Sequence, residues 1–146
     1  MGNVVNNRLI TTKDLLQLTS PVILCANRAD FSKALSDNGF KTVSVNLPLA
    51  QSFVGLDLLD IRTSLIDSIL KILPHNEPVY LKDYELLFDP RYEIDVLRLF
   101  ARLARQCKLI IEWCGRIHGE TLTYAEPGYS DYIQYNINNY DITVVI

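Results

Sequence analysis

The chain has 146 residues, 49% hydrophobic and 21% charged, which suits one globular domain with a sizeable core. A net charge of −3 argues against a broadly basic nucleic-acid surface and leaves that role to a local patch at most. Three cysteines, an odd number, no signal-like apolar run near the start and no stretch long enough to span a bilayer predict a cytoplasmic, reduced protein with no membrane segment.

Residues 1–10 are polar at the outset and read as loose. Thr11 or Thr12 can cap a short helix through Asp14 to Leu18, closed by Ser20-Pro21. Val22 to Cys25 is wholly apolar, as in a strand buried on both faces of a parallel sheet. A helix over Asp30–Asp37 stops at Asn38-Gly39, and the alternating, β-branched Lys41–Leu47 predicts the next strand. Pro48–Leu59, which contains Gly55, reads as a short helix plus a loop. From Asp60, Ile61, Leu65, Ile69 and Ile72 recur at helical spacing until Pro74.

Pro78–Asp83 is the third predicted strand. A helix over Tyr92–Gln106 follows, with Ile94, Leu97, Phe100, Ala101 and Ala104 on its buried side. Lys108–Cys114 is the fourth strand, Gly115–Gly119 a turn, Thr121–Tyr124 a hairpin partner, and Ile142–Ile146 a last strand at a sheet edge or beside the first strand. The alternation predicts a single α/β domain over 1–146, with a mostly parallel sheet, helices on both faces and an irregular, tyrosine-rich segment over 115–140. In such sheets ligands lie at the C-terminal strand ends, where Asn27–Lys33, Asp83–Glu85 and Cys114 meet.

The loop after the first predicted strand sits where a P-loop, G-x-x-x-x-G-K-[ST], would cradle phosphates. Here the corresponding residues are Asn27, Ser32, Lys33 and Ala34, so only the lysine remains. The glycines of that motif allow backbone N–H groups to turn inward at positive φ, and the hydroxyl holds Mg²⁺. Asp30 adds a carboxylate where phosphates would sit, and like charges about 4 Å apart near a surface repel by about 4 kcal/mol. As an N-cap it would contribute about 0.5–2 kcal/mol and fill the anion site at the helix terminus itself. Lys33 then meets an anion or pairs with Asp83 or Glu85, the salt bridge being the preferred reading. Glu85 is the one candidate catalytic base, and Asn27, Ser32, Lys33 and Asp83 are the candidate nucleotide ligands, with ATP and Mg²⁺ as the corresponding cofactors.

Arg98, Arg102 and Arg105 form a basic stripe that suits a solvated face, with Asp95 pairing to Arg98, or a partner-binding or arginine-finger role. Tyr124, Tyr129, Tyr132, Tyr135 and Tyr140 are five of the eight tyrosines and suit packing over the sheet edge, a protein interface or stacking on unpaired bases. Cys114 and His118 are four apart, but no second pair stands at ligand spacing and His75 is isolated, so no metal is expected.

Two motifs, Tyr80-Leu81-Lys82-Asp83-Tyr84-Glu85-Leu86-Leu87-Phe88-Asp89-Pro90 and Leu122-Thr123-Tyr124-Ala125-Glu126-Pro127-Gly128-Tyr129-Ser130-Asp131-Tyr132, resemble the BrxF family, the small P-loop-containing component of type 3 bacteriophage-exclusion (BREX) defence systems. The resemblance covers roughly residues 21–135. It implies a P-loop NTPase-like fold, and neighbours that include a large ATPase, a DNA methyltransferase and a phosphatase-like protein. The departures from the family pattern all weaken Mg-nucleotide chemistry. Lys82 stands where the family has a Walker-B-like aspartate, Glu85 matches the family glutamate, and Cys114 replaces a polar asparagine. With the altered Walker A loop, the expectation is an antiviral-defence subunit that acts through partner proteins. An active or partner-activated ATPase and a nucleic-acid adaptor are the alternatives.

Overall fold

The computed structural model describes residues 2–146. The central strand, β2 (Val22–Leu24), consists of three fully apolar residues and is buried throughout. It pairs in parallel with β5 (Leu109–Glu112) on one side and β9 (Thr143–Val145) on the other. Beyond β5 lie β4 (Val79–Lys82) and the edge strand β3 (Lys41–Ser44). Beyond β9 lies the opposite edge, β1 (Asn3–Val5). All five pairings of this six-stranded sheet are parallel, as the alternation of strands and helices along the sequence predicts.

Alternation along β2 distributes the core between two faces. Val22 and Leu24 join Ile110 and Val145 on the face covered by α1 (Thr12–Gln17) and α2 (Ala29–Asp37), through Leu15, Phe31 and Leu35. Ile23 faces the other way with Leu81, Ile111 and Val144. There it meets α3 (Asn46–Ser52), α4 (Leu58–Ile72) and α5 (Val96–Leu103). Helices on both faces of a parallel sheet agree with the expected architecture.

Several boundaries differ from the sequence reading for identifiable reasons. Of the segment 1–10 read as loose, the described residues are held in place: Asn3 to Val5 add to β9, and both the backbone N–H and the side-chain amide of Asn7 donate to the Ile146 carbonyl, at 2.7 and 2.8 Å. An edge strand carries little apolar signal because much of it faces water. The strand at Lys41 ends at Ser44 rather than Leu47, since Asn46 already begins α3. The helix read from Asp60 begins earlier, at Leu58, and Asp57 caps it by accepting from the Asp60 N–H at 2.8 Å. Thr11 caps α1 in a reciprocal box with Asp14.

The helix predicted over Tyr92–Gln106 is much shorter. Glu93 adopts φ 53°, which ends a short 3₁₀ turn at Pro90–Tyr92, and the carboxylate of Asp95 then caps α5 through the Arg98 N–H. Its buried face is Val96, Leu97, Leu99, Phe100 and Leu103, wider than the predicted one, while Ile94, Ala101 and Ala104 are half-buried.

The segment 115–140 is ordered rather than irregular. β6 (Arg116–His118), β7 (Thr121–Tyr124) and β8 (Ile133–Asn136) form an antiparallel sheet of three strands. Gly115 permits its entry, because a Cβ there would lie 1.8 Å from the Thr123 carbonyl oxygen. Phe100 is fully buried, with its ring edge-on to Tyr84 at 5.1 Å. Phe100→Ala is expected to lower unfolding free energy by roughly 3–5 kcal/mol, measured by urea denaturation of both proteins.

Candidate functional site

The C-terminal ends of β2, β3, β4 and β5 bring the sequence-predicted residues to one rim of the sheet. A four-residue loop, Cys25–Arg28, joins β2 to α2. Its start is anchored by the Cys25 N–H donating to the Val145 carbonyl at 2.8 Å, while the Trp113 N–H donates to the Leu24 carbonyl at 3.0 Å. No residue from Cys25 to Lys33 adopts positive φ, so the backbone does not curl into the N–H nest that a phosphate cradle uses.

Arg28 occupies the N-cap position of α2 without a side-chain cap. Asp30 is therefore not the cap; it lies in the first turn, where the Arg28 guanidinium holds both carboxylate oxygens, the Nε contact at 2.9 Å. This contact holds the Asp30 carboxyl below its ordinary pKa and raises that of Arg28. The same guanidinium donates to the carbonyls of Asn7, at 2.5 Å, and Ile10, at 3.1 Å, and stands 4.1 Å from the centre of the Phe31 ring. It therefore straps the start of α2 to the segment between β1 and α1. Asn27 Oδ1 accepts from Ser32 Oγ at 3.5 Å, an exposed and long contact.

The preferred Lys33 salt bridge does not form. Among the described residues Lys33 is in no ion pair; it lies on the exposed face of α2. The two carboxylates it was matched with are engaged by the β3–α3 junction instead. Asp83, at φ 51°, accepts from Ser44 Oγ at 2.8 Å through its side chain. Its carbonyl accepts from the N–H groups of Val45 and Asn46, at 3.1 and 2.6 Å. Asp is among the few residues that tolerate this left-handed geometry, and here the bend brings that carbonyl within reach of both donors. Asn46 then clamps the following turn: its amide nitrogen donates to Glu85 Oε2 at 2.7 Å and its amide oxygen accepts from the Leu86 N–H at 2.9 Å. Neither Asn46 nor Arg28 is singled out by the sequence, since their roles arise from contacts with distant segments.

Behind this rim lies an aromatic cluster. Tyr84 is fully buried and donates to the Glu112 carbonyl at 2.7 Å. Phe88 stacks on Tyr124 with centroids 4.0 Å apart and planes 6° from parallel, and meets Trp113 edge-on at 6.0 Å. The two motifs that carry the family resemblance thus pack against each other. Burial pushes the thiols of Cys25 and Cys114 up to about 12, so both are protonated at neutral pH and neither is a ready nucleophile. Among the described residues no three His, Cys, Asp or Glu side chains gather as metal ligands, and no helix is long and apolar enough to cross a membrane.

Most of the tyrosines serve the fold. Tyr135 is buried and its hydroxyl accepts from the Val96 N–H at 3.2 Å; Tyr140 donates to Asp95 at 2.7 Å, and the two rings meet edge-on. Both hydroxyls thereby fasten the start of α5. Tyr124 is half-buried in its stack, and Tyr132 accepts from the Gln134 amide at 2.5 Å. Tyr129 alone of the five is largely exposed, at 68%. Arg98 and Arg102 lie on α5, with Arg98 paired to Asp95 at 3.6 Å, whereas Arg105 falls beyond the helix end.

The chain matches no family model, no curated protein and no solved structure.

Asn46→Ala removes the amide that satisfies both Glu85 and the Leu86 N–H, so a loss of about 1–3 kcal/mol is expected in denaturant unfolding. Alkaline pH supplies a second check. Burial raises the hydroxyl of Tyr135 and the thiols of Cys25 and Cys114 to about 12. Their neutral forms therefore favour folding below the unfolded values, near 9 for the thiols and 10 for the tyrosine, and that stability is lost as pH rises towards 12. Melting temperature should fall across that window, and iodoacetamide at pH 8 should label Cys25 and Cys114 in urea far faster than in the native protein.

Proposed function

We propose that this chain is an accessory subunit of a bacteriophage-exclusion defence system, with a P-loop NTPase-like fold whose nucleotide cradle is closed by its own side chains, and that it works by binding partner proteins. The observation that carries the reading is the Arg28 strap: at the position where phosphates would meet a helix N-terminus, a guanidinium and the Asp30 carboxylate satisfy each other. Its further bonds to the Asn7 and Ile10 carbonyls make the closure part of the fold.

Strand order supports the same fold. The strand feeding the loop lies between β9 and β5, out of sequence order on both sides, as in P-loop NTPases, which makes its C-terminal end a topological switch point. The defence assignment rests on the two resembling motifs, and their contact through Phe88 and Tyr124 is consistent with one inherited unit. In this reading Asp83 and Glu85 hold the β3–α3 junction rather than Mg²⁺ or water. The neighbours implied by the resemblance, a large ATPase, a DNA methyltransferase and a phosphatase-like protein, are the partners to test. A partner-activated ATPase is the second reading, and one observation favours it: Lys33 is exposed and in no ion pair among the described residues, so a phosphate could still reach it.

Titration calorimetry of the whole chain with ATP, with and without Mg²⁺, decides between them. The closed cradle predicts no saturable heat at about millimolar nucleotide, near −4 kcal/mol of binding free energy, and the same flat trace for Lys33→Ala. Micromolar binding that disappears in Lys33→Ala would replace this reading with the partner-activated ATPase.

A further inference from the structure

Five of the nine large apolar side chains left exposed among the described residues fall between Leu47 and Leu59, at the corner where α3 passes into α4. Leu47, Val54 and Leu59 are 69, 80 and 66% exposed, and Leu56 and Leu58 more than a third. The inward positions of the corner are already filled. Leu49 and Phe53 enter the core from one helix and Ile61 and Leu65 from the other, the Phe53 ring edge-on to Tyr92 at 5.6 Å. Leu47 and Val54, seven positions apart, share the outward side of α3, so the exposed five are surplus to the packing of the chain itself.

The corner is well fastened and nearly uncharged. Gly55, at φ 81°, turns the chain, the Leu56 N–H donates to the Phe53 carbonyl at 3.0 Å, and the Asp57 carboxylate is taken up in capping α4. No charged residue stands between Lys41 and Asp57. The polar side chains of α3 bond within the fold as well: Ser52 Oγ donates to the Leu49 carbonyl at 2.7 Å, and Asn46 is held by Glu85 and the Leu86 N–H. A surface already fixed loses little freedom when it is covered. Five side chains exposed to this degree make an apolar area on the order of 500 Å², as much as a monomer ordinarily leaves in one patch.

We propose that a second copy of this chain covers the patch, the two pairing about a twofold axis through Leu47, Val54, Leu56, Leu58 and Leu59 of each. Two considerations select that occupant. Interfaces with a different, exchanging partner are about as polar as the rest of a protein surface, whereas homodimer contacts are distinctly more apolar, and this corner offers no charge with which to choose a foreign partner. An apolar patch is also complementary to itself, and two of them face to face remove about 1,000 Å², the size at which a specific interface begins. Membrane surfaces fit less well. They draw in proteins through lysine and arginine, and the charges that follow this corner in the chain are Asp57 and Asp60.

Sedimentation equilibrium of the full chain tests the pairing. Average mass should rise from 16.7 kDa towards twice that value. An interface of this size places the rise between about 5 and 500 µM. The double variant Val54→Asp, Leu59→Asp should stay at the single-chain mass throughout, and Val54→Ser, Leu59→Ser, which adds no charge, should weaken pairing about tenfold or more. Both replace exposed side chains, so melting followed by circular dichroism at low concentration should match the unaltered chain. Pairing should hold or tighten in about 1 M NaCl, because apolar contact is not screened. A single-chain mass for the unaltered protein at the highest concentration, pairing that both variants keep, or pairing lost in salt would overturn the proposal. So would a chain that stays single and instead floats with phosphatidylcholine vesicles through Val54 and Leu59. Nucleotide calorimetry judges the closed cradle and sedimentation the pairing, so either can fall without the other.

Discussion

Everything at the site depends on the central strand being bonded on both sides. Val22, Ile23 and Leu24 are all buried, and their backbone groups pair with β5 and β9 together. An unpaired polar group at that depth would cost roughly 1–3 kcal/mol, so the strand cannot slide or fray without breaking two ladders. Its C-terminal end is consequently a fixed point. The loop that follows, the Trp113 turn and the last strand all take their positions from it, and the strap made by Arg28 can span from α2 to the chain start because both of its ends are held.

A second organising feature is the way aromatic hydroxyls replace missing backbone partners. At the N-terminus of α5 Val96 is buried, so its N–H, one of the helix's first unpaired donors, needs a partner from the protein. Tyr135 accepts from Val96, and Tyr140 steadies the carboxylate of Asp95 that caps the helix. Together with the Phe88–Tyr124 stack, these bonds join the small sheet to the large one through polar geometry as well as apolar area.

The parts of the fold that were legible in the sequence are those whose signal is local. Continuous apolar runs marked β2, β4 and β5, and helical spacing marked α4, because burial on both faces or on one stripe leaves its period in the residues themselves. Edge strand β1 and strands β6 and β8 were not legible, since three- and four-residue strands half open to solvent leave almost no pattern; only β7, the hairpin strand expected over Thr121–Tyr124, was read, and its hairpin partner is β6. The overlong reading of α5 came from treating Tyr92 and Ile94 as helical when Glu93 turns left-handed between them. At the site, Lys33, Asp83 and Glu85 were recognisable as residue types, but what each touches was not. Asn46 reaches Glu85 across 39 positions and Arg28 reaches Asn7 across 21, and nothing in the local sequence around either residue encodes such closure.

The brevity of the two outer strands governs how the molecule can meet others. β1 has three residues and β3 four, the latter opening on Lys41 and running almost directly into α3. A strand laid alongside β3 would find about 13 Å of ladder before the helix turned the backbone away. So short a seam rewards neither sheet extension nor fibril growth, and a lysine at its mouth must be desolvated first. At these two edges, therefore, main-chain pairing, which is indifferent to sequence, offers a neighbouring strand little, and discrimination falls to side chains.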